Sequence, residues 1–156
     1  KKVRPDIKRF TSSGYIDDMA AGNLCVSVGY GGDLNIAKTR AQEAKNGVEI
    51  EVLAPKSGVG IWVDSLMIPR DAQNIANAHK YINHTLDPEV AAQNGNFVTY
   101  APASRPARAL MDEKYTGDAS IFPTKELMDK SFIVSPKSTD ASRLSVRLWQ
   151  SLKAGK

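Results

Sequence analysis

Two short stretches set an aromatic ring beside a carboxylate. In Ile61-Trp62-Val63-Asp64-Ser65-Leu66-Met67-Ile68-Pro69 the alternation of a strand would put Trp62, Asp64 and Leu66 on one face and Ile61, Val63, Ser65 and Met67 on the other. An ionised carboxylate among residues this apolar is costly to take out of water unless something pairs with it. An indole next to it completes a floor for a cation, because the ring face attracts positive charge by about 0.5 to 2 kcal/mol and the carboxylate neutralises it. The second stretch is Gly29-Tyr30-Gly31-Gly32-Asp33, an aromatic at the carboxyl end of an apolar run, two glycines, and an acid that opens a helix. Ligands of open α/β sheets bind outside the carboxyl ends of strands, and glycines there let a ligand approach the backbone.

Simpler roles compete for each residue. Asp33 can serve as an N-cap, Asp64 can pair with an internal Arg or Lys, and Trp62 can be core. The repetition of ring and acid at two strand ends favours cation binding. Other chemistry is thinly represented. His79 and His84 lie five apart on a helix and do not share a face, so no metal pair is expected. No GxSxG, P-loop, HExxH or CxxC motif occurs, so no enzymatic activity is expected and no cofactor is implied. Gly58-Val59-Gly60 reads as a turn, and the sequon Asn83-His84-Thr85 falls in an expected helix. Cys25 is the single cysteine; within the apolar run 24–28 it reads as a small buried thiol.

The elements that must position these residues follow from periodicity. Tyr15, Ile16, Met19 and Ala20 form a helical stripe behind the capping candidates Ser12 and Ser13, with Gly22 as a stop. Residues 24–30 read as a buried strand, 32–46 as a helix with Asp33 at its N-cap and Asn46-Gly47 as its stop signal, and 48–52 as a half-exposed strand in which Val48, Ile50 and Val52 alternate with Glu49 and Glu51. After a loop over 55–60, residues 61–69 read as a further strand. Ile75, Ala78, Ile82 and Leu86 give a helix, Asp87-Pro88 starts another turn through Gln93, and 97–100 reads as extended. Pro102, Pro106, Gly117 and Pro123 break the next stretch into loop and single turns. An amphipathic helix over 139–153 carries Ala141, Leu144, Leu148 and Leu152 in one stripe with Trp149 beside it. Strands alternating with helices predict an α/β fold.

The chain has 156 residues, 42% apolar and 24% charged, which fits a globular domain or a piece of one. Its net charge of +4 is spread among interleaved acids with no basic helix face, so nucleic acid is not an expected partner. No apolar stretch approaches the roughly 20 residues of a membrane span. The first residues carry no initiator Met and no apolar signal core, so the compartment is not read from that end.

Several ungapped motifs, taken in order, resemble one family. They are Ser12-Ser13-Gly14-Tyr15-Ile16-Asp17-Asp18, Ala21-Gly22-Asn23-Leu24-Cys25-Val26, Gly29-Tyr30-Gly31-Gly32-Asp33, Ala37-Lys38-Thr39-Arg40-Ala41-Gln42-Glu43-Ala44-Lys45-Asn46, the stretch 62–69, and Arg147-Leu148-Trp149-Gln150-Ser151-Leu152-Lys153. Together they resemble the carboxyl-terminal half of bacterial periplasmic putrescine- and spermidine-binding proteins, the solute receptors of polyamine ABC transporters. The resemblance implies a partial type II periplasmic-binding-protein fold, with two α/β lobes closing over ligand in a cleft. Residues 1–61 would belong to the second lobe, 62–100 to a crossover strand and a first-lobe segment, and 101–156 to a return into the second lobe with its terminal helix. It also implies ligand-binding roles for Tyr30, Asp33, Trp62, Asp64 and Tyr100, a periplasmic location, and a membrane permease as partner. Three departures are visible. The amino-terminal half of such a receptor is absent, position 30 is Tyr where many relatives carry Trp, and residues 101–140 follow the family loosely. The missing half then becomes an implied partner, and self-association over uncovered apolar area is expected. The competing expectations are a receptor for another small cationic solute and the effector-sensing domain of a transcriptional regulator.

Overall fold

The computed structural model describes residues 2–61 and 63–155, so the expectations that concern Trp62 lie outside the described residues. Helix α1 (Tyr15–Ala20) starts behind Gly14, whose φ of 79° is accessible because glycine lacks a Cβ. The expected cap from Ser12 or Ser13 does not form. Instead the preceding turn closes on itself, with Thr11 Oγ1 accepting from the Ser13 N–H at 3.1 Å and donating to the Ser13 carbonyl at 2.6 Å. Gly22, at φ 75°, ends the helix as expected. Helix α2 (Gly31–Ala44) stops where the Asn46-Gly47 signal placed it, through Lys45 in the left-handed region. Its N-cap is Tyr30 rather than Asp33, and no side chain caps it. α1 and α2 pack together, held by the Arg40–Asp17 ion pair and by Asn46 Nδ2 donating to the Ala20 carbonyl at 3.0 Å.

Helix α3 (Ile75–Leu86) fits its predicted stripe, and Asp87 then caps α4 (Pro88–Val98), accepting from the N–H groups of Glu89 and Val90. α4 runs beyond the expected turn and absorbs Phe97, so 97–100 is not extended. Thr99, in the left-handed region, ends it. The stretch of broken turns resolves into a 3-10 turn (Arg105–Leu110) and two short helices, α5 (Glu113–Thr116) and α6 (Lys125–Lys130). α4 lies on the 3-10 turn through Ala91, Ala92 and Ala107, small side chains that let two backbones approach closely, with Met111 just after the turn packed into the same cluster. Helix α7 has the predicted bounds, Thr139–Lys153, and is capped by Ser138. Its apolar stripe stays largely exposed, with Leu148 at 58% and Trp149 at 47%. Phe10 meets the Trp149 ring edge-on at 5.0 Å, and Arg4 Nε donates to the Leu152 carbonyl at 3.1 Å.

The sheet is much smaller than the sequence predicts. Among the described residues it consists of β1 (Gly60–Ile61) paired in parallel with β2 (Phe132–Ile133), Gly60 opposite Phe132 and Ile61 opposite Ile133. Gly58, at φ 97°, makes the turn into β1 and passes the Lys130 carbonyl so closely that a Cβ there would sit 2.0 Å from its oxygen. Residues 24–30, 48–52 and 63–69 form no ladder. Cys25 is exposed rather than buried, as are Val28 at 98% and Met67 at 86%. The physical reason is pairing: an extended backbone is stable out of water only when neighbouring strands satisfy its N–H and C=O groups, and no described strand pairs with these stretches. The fold is therefore helix-rich with a small parallel sheet, the α/β class at reduced strand content.

The surface area expresses the same imbalance. The chain exposes 12185 Å². A compact monomer of 17.0 kDa exposes about 7,700 Å² by the usual scaling of area with mass. No large side chain among the described residues is fully buried.

Candidate functional site

The amino end of α2 gathers three of the expected ligand residues. Asp33 is the third residue of the helix, where the positive end of the helix dipole favours a carboxylate. Its side chain does not cap the helix. It accepts a hydrogen bond from the Tyr15 hydroxyl, Oη to Oδ2 at 2.6 Å. The same hydroxyl accepts the Tyr30 N–H at 3.2 Å. Tyr15 is only 4% exposed, and its ring passes beneath Gly29, where a Cβ would lie 2.6 Å from Cε2. Burial, then the hydrogen bond and charge of Asp33, push the Tyr15 hydroxyl up to about 12, against a smaller downward pull from the Tyr30 N–H.

Tyr100 arrives from the other side. Thr99 is buried in its left-handed conformation and donates from Oγ1 to the Gly32 carbonyl at 2.9 Å, which fixes the chain reversal after α4. The Tyr100 ring then lies on Gly32, where a Cβ would be 2.0 Å from Cε2. Burial and the Asp33 carboxylate raise the Tyr100 hydroxyl above its ordinary value, with backbone N–H groups of Asp33 and Gly32 acting in the opposite sense. The glycines of the motif thus admit aromatic rings of this chain. Asn35, one turn on, donates to Ser120 Oγ at 2.9 Å and ties the loop before α6 to the same helix.

The outcome is a partly exposed carboxylate next to Tyr100 at the start of α2, with Tyr30 at the helix N-cap; both tyrosines are about two-fifths exposed. Two shallow depressions lie elsewhere. One of about 630 Å³ is lined by Arg105, Arg108, Met111 and Glu113, and one of about 580 Å³ runs along the outer face of α7. Asp64 has a different setting. It is exposed in the ladderless stretch 63–69, and among the described residues it has no ion pair or hydrogen bond, so the internal Arg or Lys considered as its partner is not there. Its burial, expected from the sequence, is corrected by the same lack of flanking strands. Trp62 lies outside the described residues. No cluster of potential metal ligands occurs among them.

Sequence reasoning missed two participants, Tyr15 and Thr99. Tyr15 was read as part of an apolar stripe; the available signal was a hydroxyl on that buried face, which must find a partner. Thr99 offered no local signal, since its conformation is imposed by packing.

No family model matches the chain. Similarity to individual proteins is extensive. The putrescine-binding periplasmic protein SpuD of Pseudomonas aeruginosa is 37% identical over 99% of the chain, and the putrescine-binding periplasmic protein PotF of Escherichia coli is 36% identical over 99%. A spermidine/putrescine-binding periplasmic protein of Salmonella typhimurium is 30% identical over the whole chain. The chain spans 42 to 43% of the length of these relatives. Across essentially its entire length, the chain is homologous to periplasmic putrescine- and spermidine-binding proteins.

Proposed function

We propose that this chain is the carboxyl-terminal part of a periplasmic receptor that captures putrescine or a related polyamine and presents it to the permease of an ABC transporter. The observation that carries the reading is the Asp33 cluster, a partly exposed carboxylate held at a helix amino end by the Tyr15 hydroxyl and next to Tyr100, with the half-exposed Tyr30 at the helix N-cap. An alkylammonium entering there gains a counter-ion and aromatic faces together. Asp64, without a partner among the described residues, takes the second ammonium group, and Trp62 and Tyr30 flank the methylene chain. Binding and release need no covalent step.

The fold proposed for the parent is the two-lobed type II periplasmic-binding-protein fold, with residues 1–61 and 101–156 in the second lobe and 62–100 reaching into the first. The excess exposed surface supports it. Ladderless apolar stretches such as 24–30 and 63–69 are what strands look like when the sheet around them is contributed from elsewhere. Ligand bridging both lobes would stabilise the closed form by its differential contacts, and the closed form is the one a permease would recognise. The names of the relatives favour this reading over an effector-sensing domain of a regulator.

The test is a thermal-shift panel of putrescine, cadaverine, spermidine, agmatine and basic amino acids on the intact receptor. Stabilisation by the linear diamines and polyamines is expected. Stabilisation by basic amino acids alone, or by none of the panel, overturns the assignment.

A further inference from the structure

We propose that Tyr15, a residue with no direct place in the ligand contacts above, is the positioning residue of the site, fixing both the Asp33 carboxylate and the Tyr30 backbone through one buried hydroxyl. This inference rests on the polyamine reading and deepens it. The geometry is specific. One oxygen donates to Asp33 Oδ2 at 2.6 Å and accepts from the Tyr30 N–H at 3.2 Å, so the acid and the aromatic expected to meet the same ligand share one anchor in α1. The Tyr15 hydroxyl takes one acceptor position on Oδ2 and the Tyr100 hydroxyl also bears on the carboxylate, which leaves its remaining lone pairs for an incoming ammonium. The anchor is itself fixed: α1 is locked to α2 by the Arg40–Asp17 pair, and the Tyr15 ring slides under Gly29, where any larger residue would collide with it.

The chemistry suits a cation site. A phenol is a neutral donor, so it orients the carboxylate without cancelling the charge that attracts the ligand, as an Arg or Lys in that place would do. Its raised proton affinity, about 12, keeps it a donor throughout the range in which an alkylammonium, with an ordinary value near ~10.4, carries its charge. The absence of a Cβ at Gly29 is then a requirement of the anchor, separate from any close approach of ligand to backbone.

A double-mutant cycle in the intact receptor separates positioning from general support. Putrescine thermal-shift titrations, carried to millimolar ligand so that weakened variants still respond, are expected to show Tyr15→Phe lowering affinity about tenfold, as for the loss of one hydrogen bond to a charged group. With Asp33→Asn already present, the same change is expected to cost distinctly less, about threefold or under, because the carboxylate it orients is gone and only the Tyr30 N–H contact is left to lose. Gly29→Ala, whose Cβ would lie 2.6 Å from the ring carbon Cε2 and 2.9 Å from the hydroxyl, keeps the phenol but shifts it off Asp33; it is expected to reproduce this coupling and serves if Tyr15→Phe fails to fold. An equal loss in both backgrounds, or no loss in either, overturns the positioning role. If the unaltered receptor binds putrescine while Tyr15 proves uncoupled, the polyamine reading stands alone. If the unaltered receptor binds no amine, the two fall together.

Discussion

Asp33 at the start of α2 and Asp64 in the stretch 63–69 each follow an aromatic in the sequence, Tyr30 and Trp62, yet the fold treats the two acids in opposite ways. At α2 the carboxylate is held by Tyr15, the helix is backed by Ala37 and Ala41 in the core, and the neighbouring Thr99 is buried with its hydroxyl satisfied. Along 63–69 the apolar side chains are exposed, Val63 at 79%, and Asp64 has no partner among the described residues. A helix satisfies its own backbone, so it can build a site from one or two neighbours; a strand cannot, and its site waits for a sheet. Asp64, which reads in the sequence as a charge set in the interior, is better described as a charge on an unassembled edge.

The largest expected effect tests whether the two carboxylates are equivalent in the assembled receptor. Asp33→Asn and Asp64→Asn should each weaken putrescine binding by about 3 to 5 kcal/mol, the usual consequence of removing one partner from a desolvated ion pair. Calorimetry showing a loss for Asp33→Asn alone would confine the site to the α2 cluster. Next in size, Gly32→Val should destabilise the chain by about 1 to 3 kcal/mol in urea titrations, since the new Cβ would lie 2.0 Å from the Tyr100 ring carbon Cε2. An unchanged midpoint would show that Tyr100 does not rest on Gly32.

Alkaline titration gives an intermediate effect. The Tyr15 hydroxyl is raised from an ordinary 10.0 to about 12 in the folded chain, so folding favours the protonated phenol. That contribution is whole below pH 10 and is lost as pH rises through 12, with a slope for one proton of at most about 1.4 kcal/mol per pH unit. Tyr15→Phe should remove this Tyr15 contribution to the alkaline slope; an identical slope in both proteins would deny the shift. The smallest effect belongs to the other region. Leu66→Ser should change the stability of this chain by less than about 0.5 kcal/mol, as an exposed side chain does. In the intact receptor the same substitution should cost more, because the proposed sheet covers the position. A large loss in this chain by itself would mean that 63–69 is already packed.

The helices were legible in the sequence because their signals are local. The stripe of α7, the Asp87-Pro88 start of α4 and the Asn46-Gly47 stop after α2 each depend on residues within a turn or two. The strands were misjudged as formed because apolar alternation records a capacity to pair, and pairing depends on residues far away in the chain. Tyr30 and Asp33 were read from the spacing of ring, glycines and acid, and Tyr100 from the family resemblance; its arrival at α2 rests on contacts as distant as Thr99 to Gly32.

What the sequence determined by itself is the placement of helices, the identity of the acids and rings, and the homology they carry, all properties of neighbours along the chain. The tertiary structure decided which of those residues meet. It put a buried hydroxyl of α1 under Asp33, turned Thr99 into the left-handed region so that Tyr100 covers Gly32, and left Asp64 in solvent. The division has one physical reason: helix hydrogen bonds close within four residues, while rings, carboxylates and strand edges are satisfied only by what the whole fold brings to them.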